Sequence, residues 1–300
     1  MGLFSRTSGA YAMNLPFYKL DGAGNDFVGI DMRAKPRISE PDAATLTRIV
    51  CNRYHGVGAD GVLIIEDARQ PGTDFTMFYL NSDGSIGSMC GNGARCMAVF
   101  AHHLGAAKSD MRFMTGAGVH RAEIIEGGSR LSLPEVNALP DLRKTLGPAR
   151  SITEAFFLQV GVPHAVAFVD DLDLLDVAAV GRELRRDPAF APAGANANFA
   201  EEKDGVIHVR TYERGVEAET QACGTGSVAT ACCFATRKGL TGAQRFTVSP
   251  TSGMPLEIEF EMTATGFRKV TLTGPAIIRF RGEFEIDLAA GTMINSTRTR

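Results

Sequence analysis

Three absences narrow what this chain can do. It has no basic block, and 31 Lys and Arg against 34 Asp and Glu leave a formal net charge of −3, which argues against nucleic-acid binding as the main task. No apolar run approaches the roughly 18–20 residues needed to span a bilayer, so no membrane association is expected. Six cysteines in 300 residues are too sparse for a disulfide scaffold. Cys51, Cys90, Cys96, Cys223, Cys232 and Cys233 also lack paired Cys-x-x-Cys spacing, so no structural zinc or other metal is expected. The expected compartment is reducing and cytoplasmic. Residues 1–15 hold one Arg and no continuous apolar stretch, unlike a secretory signal, and Arg6 stands where an acylation motif needs Ser or Thr. They are expected to form a disordered N-terminal extension.

What remains is ordinary globular material, 44% hydrophobic and 22% charged, long enough for about two domains. The chain is organised around two stretches that echo each other. Met89-Cys90-Gly91-Asn92-Gly93-Ala94-Arg95-Cys96 and Ala222-Cys223-Gly224-Thr225-Gly226-Ser227-Val228-Ala229 are each Cys-Gly-x-Gly opening a run of small apolar residues, with the cysteines 133 positions apart. A run apolar almost all round suits a helix buried inside a domain. Such a helix, starting at the cysteine, points unpaired backbone N–H groups and the positive end of its dipole toward the sulfur. Helix N-termini lower a thiol from about 8.5 into a range of roughly 3.5–7.5. The glycines remove side-chain atoms that would keep a ligand off the backbone, and a carboxylate is the natural guest. A lone cysteine is ordinarily a small core residue. Two glycine-flanked copies point instead to a two-base site, one thiolate taking a proton from carbon while the opposite thiol delivers another to the far face.

Around these stretches, Phe17 to Leu20 and Phe27 to Ile30 read as strands flanking a glycine-rich turn, and Pro41 to Asn52 as a helix behind the cap Ser39. Phe75 to Leu80 alternates, Met111 to Ile125 reads as a hairpin, and Leu133 to Pro140, with proline near both ends, reads as an extended connector between domains. Ala155 to Val160 reads as a strand, Leu172 to Arg186 as an amphipathic helix, and Val206 to Tyr212 as a strand delivering Glu213-Arg214. Asn81 and Arg214 each stand nine residues before a motif cysteine, equivalent points of the two halves.

The run Asn81-Ser82-Asp83-Gly84-Ser85 leading into the first stretch, and Tyr212-Glu213-Arg214-Gly215-Val216 leading into the second, closely resemble the two signatures of the diaminopimelate epimerase family of cofactor-independent racemases. The resemblance covers about Phe17 to Leu288. Related proline racemases usually carry His where Asn92 stands. The resemblance implies an α+β fold of two pseudo-symmetric domains, each a curved, mostly antiparallel sheet wrapped around a central helix, with the active site in the interdomain cleft. The N-terminal domain would take residues 16–133 with a returning strand over 276–288, and the C-terminal domain residues 134–275.

It implies further that Cys90 and Cys223 are the acid and base, with His164 and Glu213 tuning their ionisation. Asn25, Asn81 and Asn196 would contact the substrate. Gly91-Asn92 and Gly224-Thr225 would hold the reacting carboxylate through backbone N–H groups, and Glu213-Arg214 would clamp the distal amino-acid end. The implied reaction converts LL-2,6-diaminopimelate to the meso isomer in lysine biosynthesis, without pyridoxal phosphate or metal, on a small amino-acid substrate, with a homodimer among the states left open. Two positions depart from the family: Gly61, where many members have Gln, and Val162, where Asn usually precedes Pro163-His164. They keep open a racemase for another amino acid, histidine for instance. A non-catalytic amino-acid-binding or thiol redox protein is the rival from outside the enzyme class.

Overall fold

The structure, a computed structural model, describes residues 5–7, 10–144 and 152–294. The chain divides into two units, one made of residues up to Ser129 with those from Ala276 onward, the other of Arg130–Pro275. The first runs through β1 (Ser5–Thr7), β2 (Ala10–Gly22), β3 (Asn25–Asp31), α1 (Glu40–Cys51), β4 (Gly61–Asp67), β5 (Phe75–Asn81), β6 (Ile86–Gly87), α2 (Gly91–His103), β7 (Asp110–Thr115) and β8 (Gly118–Ile125). The division falls inside β9 (Gly128–Ser132). The second unit continues with β10 (Asp141–Lys144), β11 (Glu154–Val160), β12 (Val162–Phe168), α3 (Val177–Arg185), β13 (Asn196–Lys203), β14 (Val206–Glu213), β15 (Ala218–Thr220), α4 (Gly224–Arg237), β16 (Gly242–Pro250), β17 (Leu256–Thr263) and β18 (Gly266–Pro275). Finally β19 (Ile277–Asp287) and β20 (Thr292–Met293) belong again to the first unit.

The duplication seen in the motifs extends to the whole topology. In the first unit β2 pairs antiparallel with β3, β3 parallel with β4, β4 antiparallel with β5, β5 antiparallel with β6 and parallel with β7, and β7 antiparallel with β8. In the second, β11 through β17 repeat the same relations in the same order. The parallel β3–β4 and β12–β13 pairs each need a crossover, and α1 and α3 supply them. The later crossovers, β5 to β7 and β14 to β16, carry α2 and α4.

These two helices are the centres of the units. α2 touches β2, β3, β4, β5, β8 and β19, while α4 touches β11 to β14 and β16 to β18. Their residues are correspondingly buried from Gly91 to Ala98 and from Gly226 to Ala235. Small side chains on every face let strands approach from all directions, and Phe100 and Phe234 supply larger apolar contacts. Both helices also end alike. Gly105 and Gly239 follow their C-caps with φ of 66° and 65°. Each donates to the carbonyl three residues back, at His102 and Thr236, while Ala106 and Leu240 reach five residues back to Ala101 and Ala235, each of the four bonds 2.8–3.0 Å long.

The outer helices follow local capping signals. The Ser39 side chain accepts the Asp42 N–H and starts α1. The amphipathic stretch after Leu172 becomes helical only at Val177, because Asp171 accepts the N–H groups of Asp173 and Leu174 in a turn and Asp176 then caps α3. Leu174, within that stretch, is 85% exposed. Leu133 to Pro140 is extended but tied down: Leu133 donates to the Val270 carbonyl (2.9 Å), and Val136 and Phe267 exchange backbone hydrogen bonds (2.9 and 2.8 Å).

One expectation fails. Residues 1–15 were expected to be disordered, yet β2 begins at Ala10 and pairs along β19, with Leu15 opposite Phe284 and Met13 opposite Ile286. Met13, Leu15 and Phe17 are buried in one apolar cluster with Phe284 and Ile286, while Asn14 and Pro16 face solvent. The alternation is that of a half-buried strand, but its partner lies about 270 positions away and Pro16, confined to the solvent face, masks the pattern. Residues 1–4 and 8–9 lie outside the described residues. Leu15 is fully buried, so Leu15→Ala is expected to lose about 2–5 kcal/mol of unfolding free energy. Denaturant titration of the variant beside the parent chain measures this; a disordered residue 15 would leave the midpoint unmoved.

Candidate active site

Of the six cysteines, five are buried, Cys223 among them, and Cys90 is part-buried. Cys51, Cys96, Cys232 and Cys233 are buried, and burial pushes their pKa values up, that of Cys51 to about 12. The other two occupy one special position each. Cys90 is the N-cap of α2, with φ −134° and ψ 121°, and Cys223 the N-cap of α4, with φ −117° and ψ 105°. Each carbonyl accepts the first intrahelical hydrogen bond, from Ala94 at 2.7 Å and from Ser227 at 2.8 Å. The sulfur therefore stands where a helix presents its orphan N–H groups, and Cys90 Sγ accepts the Gly93 N–H at 3.4 Å.

In the first unit, Asn92 in the opening turn of α2 donates its amide hydrogen to Asn25 Oδ1. Asn25 Nδ2 in turn donates to Asp60 Oδ2 at 3.0 Å. Asp60 and Asp26 are braced by Arg53, whose guanidinium reaches both carboxylates at 2.7–3.2 Å, and Lys19 donates to Asp26 (2.6 Å) and to the Gly58 carbonyl. Burial disfavours the Asp26 carboxylate, yet the hydrogen bonds and charges of Arg53 and Lys19 outweigh it and lower its pKa. Asn25 was expected to offer its amide to substrate. Its oxygen and one of its hydrogens already hold it in a fixed orientation.

Asn81, the last residue of β5, pairs with Gly61. Its Oδ1 accepts the Tyr79 hydroxyl at 2.6 Å and its Nδ2 donates to Ser85 Oγ at 2.9 Å. The glycine at 61 has a steric cause. A Cβ there would lie 2.5 Å from the Leu80 carbonyl oxygen and 2.8 Å from the Tyr79 ring, so the phenol covers the room a longer side chain would need.

In the second unit, His164 and Asn196 are register partners on β12 and β13. Asn196 is buried and accepts the Arg214 N–H at 2.8 Å. Glu213 accepts the Thr220 hydroxyl at 2.6 Å, and Arg214 reaches the Ala193 carbonyl at 3.3 Å. His164 is fully buried, with Nε2 3.2 Å from Thr225 Oγ1, and that oxygen lies 3.8 Å from Cys223 Sγ. Burial, aided by the positive charge of Arg214, lowers the imidazole to about 3, so it is neutral at physiological pH. Val162 opens β12 beside the Gly161 turn at 37% exposure and offers no amide.

Two residues with a claim on the site escaped attention as side chains. Asp60 orients Asn25, and Arg95, within the first motif, is fully buried with its charge acting on Cys90 and Cys96. Its Nη1 lies 3.5 Å from the Gly91 carbonyl, while Nε and Nη2 have no hydrogen-bond partner among the described residues. Burial lowers it to about 10. The signal was present, since a charged residue inside an otherwise apolar buried run requires an explanation.

This arrangement, matched halves each enclosing a buried helix that starts at a cysteine, has a fold shared with several solved structures. A hydroxyproline epimerase from Agrobacterium vitis superposes with a TM-score of 0.68 at 17% identity, covering 91% of this chain and 93% of that one. A Bacillus anthracis phenazine biosynthesis protein of the PhzF family gives 0.70 at 16%, covering 91% and 99%. The class is thus the two-unit fold that these structures share. Within it, the diaminopimelate epimerase family model matches residues 17–135 and 156–278. The diaminopimelate epimerase of Aquifex aeolicus is 40% identical over 278 residues, 89% of this chain and 97% of that relative. The chain belongs to the diaminopimelate epimerase family.

The neutral, buried His164 has a thermodynamic consequence. The unfolded chain binds a proton there near the ordinary value of 6.5, the folded chain only near 3. Unfolding therefore takes up a proton between these values, and stability falls as pH drops through that window. Replacing His164 by Gln is expected to make the stability–pH slope between pH 6 and 4 shallower by up to about 1.4 kcal/mol per pH unit. Denaturant unfolding at a series of pH values checks it, and identical slopes would mean His164 titrates normally.

Proposed function

We propose that the chain interconverts LL-2,6-diaminopimelate and its meso isomer by a two-thiol acid–base mechanism. The observation that carries the reading is the placement of Cys90 and Cys223, and of no other cysteine, as N-caps of the two equivalent central helices. A thiol at such a point is stabilised as thiolate by the helix N–H groups. For Cys90 the Gly93 N–H and the buried charge of Arg95 act in the same direction.

The chemistry requires both thiols to serve one substrate. One thiolate removes the proton from the α-carbon, and the opposite thiol delivers a proton to the other face, so the centre inverts and each sulfur ends in the other's starting state. Negative charge that develops on the α-carboxylate is met by the backbone N–H groups of Gly91-Asn92 and Gly224-Thr225, held in place before the reaction starts. Arg214 recognises the distal carboxylate with its planar fork, and Glu213 the distal ammonium. Asn25, Asn81 and Asn196 complete the polar contacts. Asp60 and Arg53 position the first of these, Tyr79 and Ser85 the second. The meso product feeds lysine biosynthesis and, in bacteria, cell-wall synthesis, and the dependence on reduced thiols suits the cytoplasm.

The test is a chirality-resolved assay on LL-diaminopimelate under reducing conditions, beside a panel of other free amino acids. Cys90→Ala and Cys223→Ala are each expected to lower turnover by at least about 10²–10⁴-fold while leaving the folded state intact. In deuterated water the product should carry solvent deuterium at the inverted carbon. Near-normal turnover by either variant, or inversion without deuterium uptake, overturns the mechanism; faster turnover of another amino acid overturns the substrate.

A further inference from the structure

The two units are built alike, and the side chains around their motif cysteines differ. Ladder register makes Phe27 and Gly61 in the first unit equivalent to His164 and Asn196 in the second. Two residues further along, Leu63 is equivalent to Asn198. Each of these lies against the second glycine of its motif: a Cβ at Gly93 would meet Leu63 Cδ2 at 3.1 Å, and one at Gly226 would meet Asn198 Oδ1 at 2.4 Å. Leu63 thus lies beside the first motif where an amide lies beside the second, and Phe27 holds the ladder position of the imidazole.

The orientation of Asn198 is over-determined. The side chain is fully buried, and its Nδ2 lies 3.0 Å from the Ala165 carbonyl and 3.2 Å from the Asn196 carbonyl. Its Oδ1 accepts the Thr211 hydroxyl at 3.0 Å. Only the NH₂ end can face two carbonyl oxygens, and that end also lies 3.3 Å from His164 Nδ1. An amide nitrogen has no lone pair to offer an imidazole N–H. In neutral His164, therefore, Nδ1 is the bare nitrogen and the ring proton sits on Nε2, toward Thr225 Oγ1. A Thr225 hydroxyl that accepts the Nε2–H keeps its own hydrogen to donate, and Cys223 Sγ lies 3.8 Å from its oxygen.

We infer that Asn198, locked by Thr211, is a positioning residue that holds His164 in its Nε2–H tautomer and thereby aims the Thr225 hydroxyl hydrogen at the Cys223 sulfur. The relay favours the thiolate of Cys223 through one hydrogen bond, where Cys90 relies on the Gly93 N–H and Arg95. The two thiols of a duplicated site are thus prepared by different means. The inference rests on the acid–base role proposed for Cys223, but its signature can be read without turnover.

The experiment uses the full chain labelled with ¹⁵N-histidine, the His164 signals being assigned by their loss in His164→Gln. Long-range proton–nitrogen correlation at neutral pH should show His164 as the pure Nε2–H tautomer. In Asn198→Leu, which copies the first unit, the Nδ1–H form should appear. Iodoacetamide labelling of Cys223, followed by mass spectrometry at fixed pH, should slow by about tenfold, the change one unit of thiol pKa produces, with Cys90 labelling unchanged. If Asn198→Leu fails to fold, the isosteric Thr211→Val, which frees the amide to turn, should shift the tautomer and Cys223 labelling in the same sense. In epimerisation kinetics these variants should lower kcat with little change in KM. An Nδ1–H or doubly protonated His164 in the parent chain, or unchanged Cys223 labelling in a folded Asn198→Leu, overturns the inference. A correct tautomer and responsive Cys223 in a chain that leaves LL-diaminopimelate untouched would instead refute the proposed reaction and leave the relay standing.

Discussion

An α-helix enclosed by strands on every side has only its ends through which to meet a ligand, and its N-terminal end carries backbone N–H groups with no partner inside the helix. Both central helices of this protein are of that kind, and both place a cysteine at that end. Close packing demands small residues along the helix, close approach of a ligand demands glycines in its first turn, and the unsatisfied N–H groups favour an anion, whether a thiolate or a substrate carboxylate. The C-terminal ends are closed by the same glycine motif in both halves, which leaves the N-termini as the chemically open ends.

Duplication preserved this scaffold and let its linings diverge. The strand pairings of the two units correspond step by step, yet Phe27 and Leu63 stand at the positions that His164 and Asn198 hold in the other unit, and Arg95 in α2 corresponds to Val228 in α4. The proposed two-thiol reaction needs two groups of comparable acidity but gains nothing from building them identically. In one half a buried guanidinium and a backbone N–H act on the sulfur; in the other a neutral imidazole acts through a hydroxyl. An uncharged relay suits a wall in which burial and Arg214 together disfavour a second positive charge.

The departures from the family pattern at Gly61 and Val162 have different physical standing. Gly61 is enforced by its neighbours, since the Leu80 carbonyl and the Tyr79 ring exclude any side chain, and the hydroxyl of that ring bonds Asn81 instead. Val162 is under no such constraint: it opens a hairpin strand and is partly exposed. The first is fixed by packing and the second is not.

Much of the architecture was legible in the residues because its signals are local. Ser39 announces α1 through its own side chain, and the alternation in Met111 to Ile125 needs only a turn to become a hairpin. The paired Cys-Gly-x-Gly runs likewise announce two buried helices and the thiols at their heads, since capping, small size and glycine act within a few residues of one another. Tertiary structure alone decided what depends on distant partners. Met13 and Leu15 became core only against Phe284 and Ile286, and Asn25 acquired its orientation from Asp60 and Asn92. His164 lost its charge through complete burial and its choice of tautomer through Asn198. Those properties arise from the dielectric and the hydrogen-bond geometry around a group, and neither exists until strands far apart in the chain have packed around it.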